Sequence, residues 1–273
     1  MSAPRAGRLG LLGWPVHHSR SPAMHRAAFA ALGLTGWSYQ LLPVPPELFQ
    51  ETVRALAPAG FVGANVTLPH KPAALALADR ADATARAIGA ANTLSFLDDG
   101  TIEAANTDAP GLIMALGDSD PRGRSALVLG SGGTARAAVW ALREAGAEVA
   151  IWNRTPERAR ALAEEFGVRA VARPTPAELL LNTTTVGMDE RMNPAGALAL
   201  LGLDSDMLRG YAQIVDFVYA DTTTPLLSEA RRHGIATLDG LAILAAQGAL
   251  SFQRWTGFVA PLDEMRRAAE EVG

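Results

Sequence analysis

The sequence predicts an α/β protein whose second half is a doubly wound parallel sheet, and three features carry that expectation. The first is Ser125 to Thr155, which reads as strand, glycine turn, helix and strand. The second is the continued alternation of strand and helix patterns from Pro156 to His233. The third is an earlier α/β run from Leu9 to Ala105, set apart by the polar segment Asp118-Ser119-Asp120-Pro121-Arg122-Gly123. Alternating β and α units cover both faces of their strands and favour a parallel sheet.

Composition narrows the classes of function. The chain has 273 residues, 49% hydrophobic and 19% charged, which suits one large or two ordinary globular domains. A net charge of −4 leaves no electrostatic footprint for nucleic acid or an anionic membrane, although Arg154, Arg158 and Arg160 suit one phosphate group. The absence of cysteine removes disulfides, thiolate metal sites and cysteine nucleophiles together. His17, His18 and His25 make no ligand cluster with a nearby carboxylate and read as loop and helix-surface positions, so no metal is expected. The first twenty residues hold no apolar run long enough for a signal peptide or a membrane span, and a cytoplasmic location is expected.

In chain order, Leu9 to Leu12 reads as a strand, followed by a loop ending in Ser19-Arg20-Ser21-Pro22. Ser21 suits an N-cap and Pro22 the first helical position, with Met24, Ala28, Ala31 and Leu32 as the buried stripe. Ser19 and Ser21 beside the free N–H groups of a helix start would suit a carboxylate, since dipole and donors both favour an anion. Ser38 to Pro43 reads as a strand, Pro46 to Leu56 as a helix, and Gly60 to Val66 as a strand leading into Thr67-Leu68-Pro69-His70-Lys71-Pro72. If Pro72 opens the next helix, Lys71 stands at its positive end, where a cation breaks a local rule. The same field eases loss of its proton, which suits acid–base work; an exposed Lys in water is the plain alternative.

Gly89 to Phe96 enters a strand, Asp98-Asp99-Gly100 turns it back, and Thr101 to Ala105 returns. Asn106-Thr107-Asp108 then begins a helix in which Asp108 alone would be ordinary first-turn chemistry. Paired with Lys71, it would hold an alcohol between an acid–base group and the carboxylate that orients it.

Gly130-Ser131-Gly132-Gly133-Thr134-Ala135 follows the apolar run Ala126 to Leu129 and has the G-x-G-x-x-G/A spacing. Gly130 permits the tight turn, Gly132 lets a pyrophosphate approach the backbone, and Ala135 lets the new helix pack on the strand. The second strand, Glu148 to Trp152, ends in Asn153-Arg154-Thr155, where an NAD site would place a carboxylate on the ribose 2′-hydroxyl. A guanidinium beside hydroxyls suits a 2′-phosphate instead, so NADP is the expected cofactor. Beyond it, Pro156 to Phe166 reads as a helix, Val168 to Val171, Leu179 to Asn182 and Ile214 to Tyr219 as strands, and Thr224-Pro225 as the start of a helix. Asn193 to Gly210 reads poorly. Leu241, Leu244, Ala245, Gly248 and Phe252 form a helical stripe, with Gln247 and Ile243 on a neighbouring face.

Taken together, Ser19-Arg20-Ser21-Pro22, Gly63 to Lys71, Gly89-Ala90-Ala91-Asn92-Thr93, Asn106-Thr107-Asp108, Gly130 to Gly133, Asn153-Arg154-Thr155, Asn182-Thr183-Thr184, Asp216 to Tyr219 and Asp239-Gly240 to Gln247 resemble the shikimate dehydrogenase family over nearly the whole chain. The resemblance implies a substrate domain of residues 1–105 and 240–273, a Rossmann-like NADP domain of residues 106–239, and an active site between them. It implies that Lys71 and Asp108 are catalytic, that Ser19 and Ser21 bind the substrate carboxylate near Tyr219, and that Thr67, Asn92 and Gln247 contact ring hydroxyls. Gly130, Ser131, Gly132, Gly133, Thr183 and Gly240 would line the cofactor, with Asn153, Arg154 and Thr155 on its 2′-phosphate. The reaction implied is reversible reduction of 3-dehydroshikimate to shikimate by NADPH, in a monomer or homodimer. Ile243 stands where the family usually has methionine, and Ala104 and Ala109 replace glycines flanking Asn106-Thr107-Asp108. A quinate/shikimate dehydrogenase using NAD would favour an acidic residue after the second strand, and a non-catalytic sensor of nucleotide or ring acid would need no Lys71–Asp108 pair.

Overall fold

The structure is a computed structural model that describes residues 6–189 and 191–272. It divides into two compact units, one holding the chain up to Gly111 and from Leu244 onward, the other Leu112–Ile243.

The first unit begins with β1 (Gly7–Gly13), α1 (Ser21–Ala31), β2 (Trp37–Pro43), a 3-10 turn (Pro46–Leu48), α2 (Phe49–Leu56), β3 (Phe61–Val66) and α3 (Lys71–Leu77). It continues with β4 (Arg80–Ala81), α4 (Ala83–Ile88), β5 (Thr93–Phe96), β6 (Ile102–Ala105) and the start of α5 (Asp108–Leu116). Its sheet is mixed, in the order β2-β1-β3-β5-β6-β4. β1 lies parallel to both β2 and β3, and the β5–β6 hairpin closes the other side antiparallel. β1 is buried at all but one position because it is central and covered on both faces, which explains why it reads as a continuous apolar run. Leu12, Val53, Phe61, Val66 and Leu94 join one core cluster on this sheet.

The second unit contains β7 (Ser125–Leu129), α6 (Gly133–Glu144), β8 (Glu148–Trp152), α7 (Pro156–Phe166), β9 (Arg169–Ala170) and β10 (Ala177–Asn182). These are followed by α8 (Pro194–Leu200), a 3-10 turn (Asp206–Gly210), β11 (Tyr211–Asp216), α9 (Pro225–Arg232) and β12 (Ala236–Leu238). All neighbours in its sheet run parallel, in the order β12-β11-β10-β7-β8-β9. The chain starts at the centre, winds to one edge through β8 and β9, then crosses to β10 and winds to the other. The reversal between β7 and β10 is the switch point at whose carboxyl ends such sheets bind ligands. Leu127, Leu129, Leu180 and Ile214 are fully buried here, each worth about 1.5–3 kcal/mol over exposure.

Two helices complete the first unit, α10 (Gly240–Thr256) and α11 (Leu262–Glu270). α11 packs on α1, where Arg20 donates to the Ala269 carbonyl at 2.9 Å. Three helices that the sequence pattern leaves unassigned are short or late. α4 is set by its ends, with Asp82 accepting from Ala85 N–H and Gly89 in the left-handed region at φ 72°. α8 is capped by Asn193, which accepts from Gly196 N–H before Pro194 can show any periodicity. α11 buries only Met265 and Ala269.

Three expectations need correction. Of the stripe expected on α1, Met24 and Ala28 are buried, but Ala31 and Leu32 lie where the helix ends and are exposed. Ser21 is the first residue of α1 and not its cap: Arg20, already in helical conformation, precedes it without a side-chain cap bond. His25 is not a surface residue. It is fully buried, stacked on Tyr39 with ring centroids 4.2 Å apart, and lies beside Phe29, Phe252 and Trp255. Helix periodicity puts it next to the Met24–Ala28 stripe, and the aromatic pocket made by β2 and α10 widens the buried face to include it.

Neither ring nitrogen of His25 has a hydrogen-bond partner, and burial pushes its pKa down to about 3. The unfolded chain binds that proton at the ordinary value near 6.5. Stability from a neutral His25 is therefore complete above pH 6.5 and lost as pH falls toward 3. Denaturant titrations at pH 7.5 and 4.5 should show the first unit losing about 2–3 kcal/mol on this account, and His25→Phe, which keeps the stack on Tyr39, should abolish that share of the loss. An equal loss in the variant would rule the histidine out as its source.

Candidate active site

In the first unit, four of the side chains singled out from sequence meet in one buried cluster. Lys71 is the first residue of α3, its carbonyl accepts from Ala91 N–H at 2.9 Å, and the preceding His70 is stacked on Phe49 and bonded to the Val44 carbonyl at 2.7 Å. Asp108 opens α5, whose first turn is capped by Asn106 accepting from the N–H groups of Asp108 and Ala109. Asn106 is anchored in turn by donating to the Ala90 carbonyl at 2.9 Å. Ala104 and Ala109, which stand in for the family's glycines, are both buried within these elements.

Lys71 Nζ donates to Asp108 Oδ2 at 2.7 Å, and both side chains are about nine-tenths buried. The helix-start field that disfavours a cation is thus offset by a carboxylate in contact with it. Asn92 Nδ2 donates to the other carboxylate oxygen at 2.9 Å, to Thr107 Oγ1 at 2.9 Å and to Gln247 Oε1 at 3.1 Å. Gln247 reaches this point because α5 and α10 touch at Gly111: a Cβ there would lie 2.7 Å from Gln247 Cβ and 2.8 Å from its Cα. Only glycine permits that approach.

Ser19 and Ser21 form a second polar pair. Ser19 Oγ donates to Ser21 Oγ at 3.1 Å and accepts from Ser21 N–H at 3.3 Å. They lie in the segment after β1, while Thr67 and Lys71 follow the neighbouring parallel strand β3, with Thr67 N–H bonded to the Leu12 carbonyl at 2.8 Å. The carboxyl ends of two adjacent strands thus carry Ser19, Ser21, Thr67 and Lys71.

In the second unit the glycine turn sits at the switch point. Gly130 leaves β7 at φ 122°, and a Cβ on it would lie 2.5 Å from Thr183 Oγ1, which itself donates to the Leu129 carbonyl at 2.7 Å. A Cβ on Gly132 would meet nothing within 4 Å, and Gly133 is the first residue of α6. An open backbone at the start of a helix fits a pyrophosphate. Asn153, Arg154 and Thr155 form the loop after β8, with Arg154 exposed and Asn153 Nδ2 donating to the Thr155 carbonyl at 3.0 Å. These residues fit NADP: a permanent cation, no carboxylate, and free surface beside the turn. Gly240 begins α10 with its Cα against the Phe217 and Val218 carbonyls, where a Cβ would come within 2.7 Å. Tyr219 is half-buried in the segment after β11, and Ile243 is buried in the first turn of α10.

The sequence reading passed over a hub below these loops. Asp216, the last residue of β11, accepts from Asn182 Nδ2 at 2.9 Å, Val218 N–H at 3.1 Å and Thr224 Oγ1 at 2.7 Å. Asn182 also accepts from Thr184 and donates to the Val186 carbonyl, and Thr224 caps α9. One carboxylate therefore ties the segments that carry Thr183 and Tyr219 to the start of a helix. The signal lay in the buried strand end Asp216-Phe217-Val218-Tyr219, since an acid closing an apolar strand needs partners.

A glycine turn at the switch point, a basic loop where an NAD site is acidic, and a buried Lys–Asp pair in a companion α/β unit define a two-unit NADP-dependent oxidoreductase. Residues 11–94 match the family described as Shikimate dehydrogenase substrate binding domain, residues 116–182 Shikimate / quinate 5-dehydrogenase, and residues 240–270 Shikimate 5'-dehydrogenase C-terminal domain. Shikimate dehydrogenase (NADP(+)) of Citrifermentans bemidjiense is 43% identical, with 95% of this chain and 93% of the relative covered. The Methanopyrus kandleri enzyme of the same name is 42% identical over 96% and 94%. The crystal structure of Thermus thermophilus shikimate 5-dehydrogenase in complex with NADP(H) and shikimate superposes with a TM-score of 0.86 at 44% identity, covering 96% of this chain and 98% of that one. The chain belongs to the shikimate dehydrogenase (NADP+) family, and it is an NADP-dependent oxidoreductase of the shikimate route to aromatic amino acids. No helix among the described residues is long and apolar enough to cross a membrane.

Burial pushes the Asp216 carboxyl up to about 7 against the pull of its three donors, whereas the unfolded chain titrates near 3.8. A raised carboxyl makes folding less favourable as pH climbs from about 4 to 7. Asp216→Asn copies the protonated form, so its stability relative to the parent should rise by about 2 kcal/mol between pH 5 and pH 8 in denaturant titrations. A constant difference across that range would mean the carboxyl titrates normally.

Proposed function

We propose that the reversible, NADPH-dependent reduction of 3-dehydroshikimate to shikimate uses Lys71 and Asp108 of this chain as its acid–base pair, and that the enzyme works in the cytoplasm. The observation that supports the pair most directly is the 2.7 Å contact between Lys71 Nζ and Asp108 Oδ2, with the second carboxylate oxygen held by Asn92. The first unit binds the ring acid. Ser19 and Ser21 take its carboxylate with two hydroxyls at the start of α1, and Thr67, Asn92 and Gln247 hydrogen-bond the ring hydroxyls; Tyr219 is a further substrate-binding residue.

The second unit holds the cofactor. Gly130, Ser131, Gly132 and Gly133 face the pyrophosphate, Thr183 and Gly240 line the site, and Asn153, Arg154 and Thr155 receive the 2′-phosphate. NADPH, when bound, supplies the hydride that reaches the ketone carbon. The protein's own part is to fix the ring and to handle the proton on the adjoining oxygen, which Lys71 and Asp108 hold between them. In the reverse direction the same pair accepts the alcohol proton. Because Asn92 bridges Asp108 to Gln247, the group that orients the lysine also orients the ring hydroxyls.

Reduction of NADP by shikimate, followed at the reduced-nicotinamide absorbance band, tests the assignment. Lys71→Ala should lower turnover by about 10²–10⁴-fold with little change in the KM for NADP. Arg154→Ala should raise the KM for NADP by about 10–100-fold while leaving the rate measured with NAD nearly unchanged. Full activity in the first variant, or equal losses with both cofactors in the second, would refute the corresponding role.

A further inference from the structure

Behind Asn92 lies a group of side chains that the proposed reaction does not use. Thr93, Thr107 and Ser251 are all buried, and their hydroxyl oxygens form a triangle with sides of 3.2, 3.0 and 3.1 Å. Each comes from a different element: Thr93 opens β5, Thr107 precedes α5, and Ser251 lies on α10 one turn after Gln247. A closed ring of three hydroxyls gives and receives one hydrogen bond at each oxygen and leaves one lone pair on each. Those three positions are filled. Asn65 Nδ2 donates to Thr93 at 3.2 Å and to Ser251 at 2.9 Å, and Asn92 Nδ2 donates to Thr107 at 2.9 Å. Asn65 is held in turn by Tyr39, whose hydroxyl donates to its Oδ1 at 2.8 Å.

The ring touches Asn92 and Gln247 at several points: the Thr93 and Thr107 hydroxyls lie 3.3 and 3.2 Å from Asn92 Oδ1, and Thr107 Oγ1 lies 3.4 Å from Gln247 Oε1. Thr107 N–H donates to Asn92 Oδ1 at 2.7 Å, which decides which way the Asn92 amide faces and so turns its Nδ2 toward Asp108. Ser251 Oγ lies 3.0 Å from the Gln247 carbonyl, as a donor that competes with ring closure. We infer that Thr93, Thr107 and Ser251 act as a hydroxyl triad that positions Asn92 and Gln247 for the ring substrate, with Ser251 and Thr93 as positioning residues. The inference rests on the assignment of Asn92, Gln247, Lys71 and Asp108 given above. A hydroxyl ring is suited to the task because a buried polar group keeps one geometry only when every partner is present.

The test separates hydroxyl from volume. Thr93→Val keeps the shape of the side chain and removes its hydroxyl, whereas Thr93→Ser keeps the hydroxyl and removes a methyl. With shikimate and NADP as substrates, Thr93→Val and Ser251→Ala should each raise the KM for shikimate about tenfold and lower kcat, with the KM for NADP unchanged. Thr93→Ser should stay close to the parent in all three. A role in packing alone predicts the opposite order, with Thr93→Ser losing more stability than Thr93→Val and all variants within twofold of the parent in both constants. That outcome overturns the triad. Lys71→Ala assayed alongside keeps the two claims apart: full activity there refutes the catalytic assignment, while its collapse beside unaffected Ser251→Ala and Thr93→Val refutes the triad alone.

Discussion

A carboxamide has nearly the same shape whichever way it is turned, so a buried asparagine is oriented only by its partners. At Asn92 the decisive partner is the backbone N–H of Thr107, which takes Oδ1 and leaves Nδ2 for Asp108, Thr107 Oγ1 and Gln247. Much of the first unit is arranged around that choice. Beside the β5–β6 hairpin, Asn92 N–H donates to the Ala105 carbonyl, Asn106 caps α5 so that Asp108 starts it, and the bare surface of Gly111 admits α10 close enough for Gln247 to join. A polar group in this setting costs more unpaired than it returns paired, so partial assembly is disfavoured.

The second unit meets a different constraint, that of leaving β7 through a tight turn with open backbone. Gly130 adopts a conformation unfavourable to other residues, and Thr183 fills the space where its side chain would be. The turn therefore depends on a residue across the switch point as well as on its own glycines. Asp216 extends this dependence by joining the segment of Thr183 to that of Tyr219. The loops at this edge are thus braced from beneath by side chains at the ends of β10 and β11.

What could be read from sequence follows from range. The glycine turn, its strand and its helix are local, since Gly130, Gly132 and Ala135 each answer a need of their immediate neighbours, and that unit was legible for that reason. Lys71 was visible as a charge in the wrong place on a helix, although its partner lay far along the chain. Ser251 gave no such sign: a serine among the alanines of α10 reads as a small residue, and only the meeting of β5, α5 and α10 gives its hydroxyl a purpose. His25 was misread because the ring that buries it comes from β2 and α10. The helices α4, α8 and α11 went unassigned because caps and a few contacts, not a long periodic stripe, define them.

The order of the two units along the chain bears on how the enzyme is made. The second unit is complete at Ile243, whereas the first opens the chain and is finished only by residues from Leu244 onward. During synthesis, therefore, the parallel sheet has all of its strands while the first unit still lacks Gln247, Ser251 and the aromatic rings of Phe252 and Trp255 that cover His25. Domains ordinarily mature from the amino end as they emerge, and this arrangement inverts that sequence for half the molecule. A nascent chain of this protein acquires its parallel-sheet unit before it completes the mixed-sheet one, and the apolar face of α1 with His25 and Phe29 waits for residues 244–272 to be shielded.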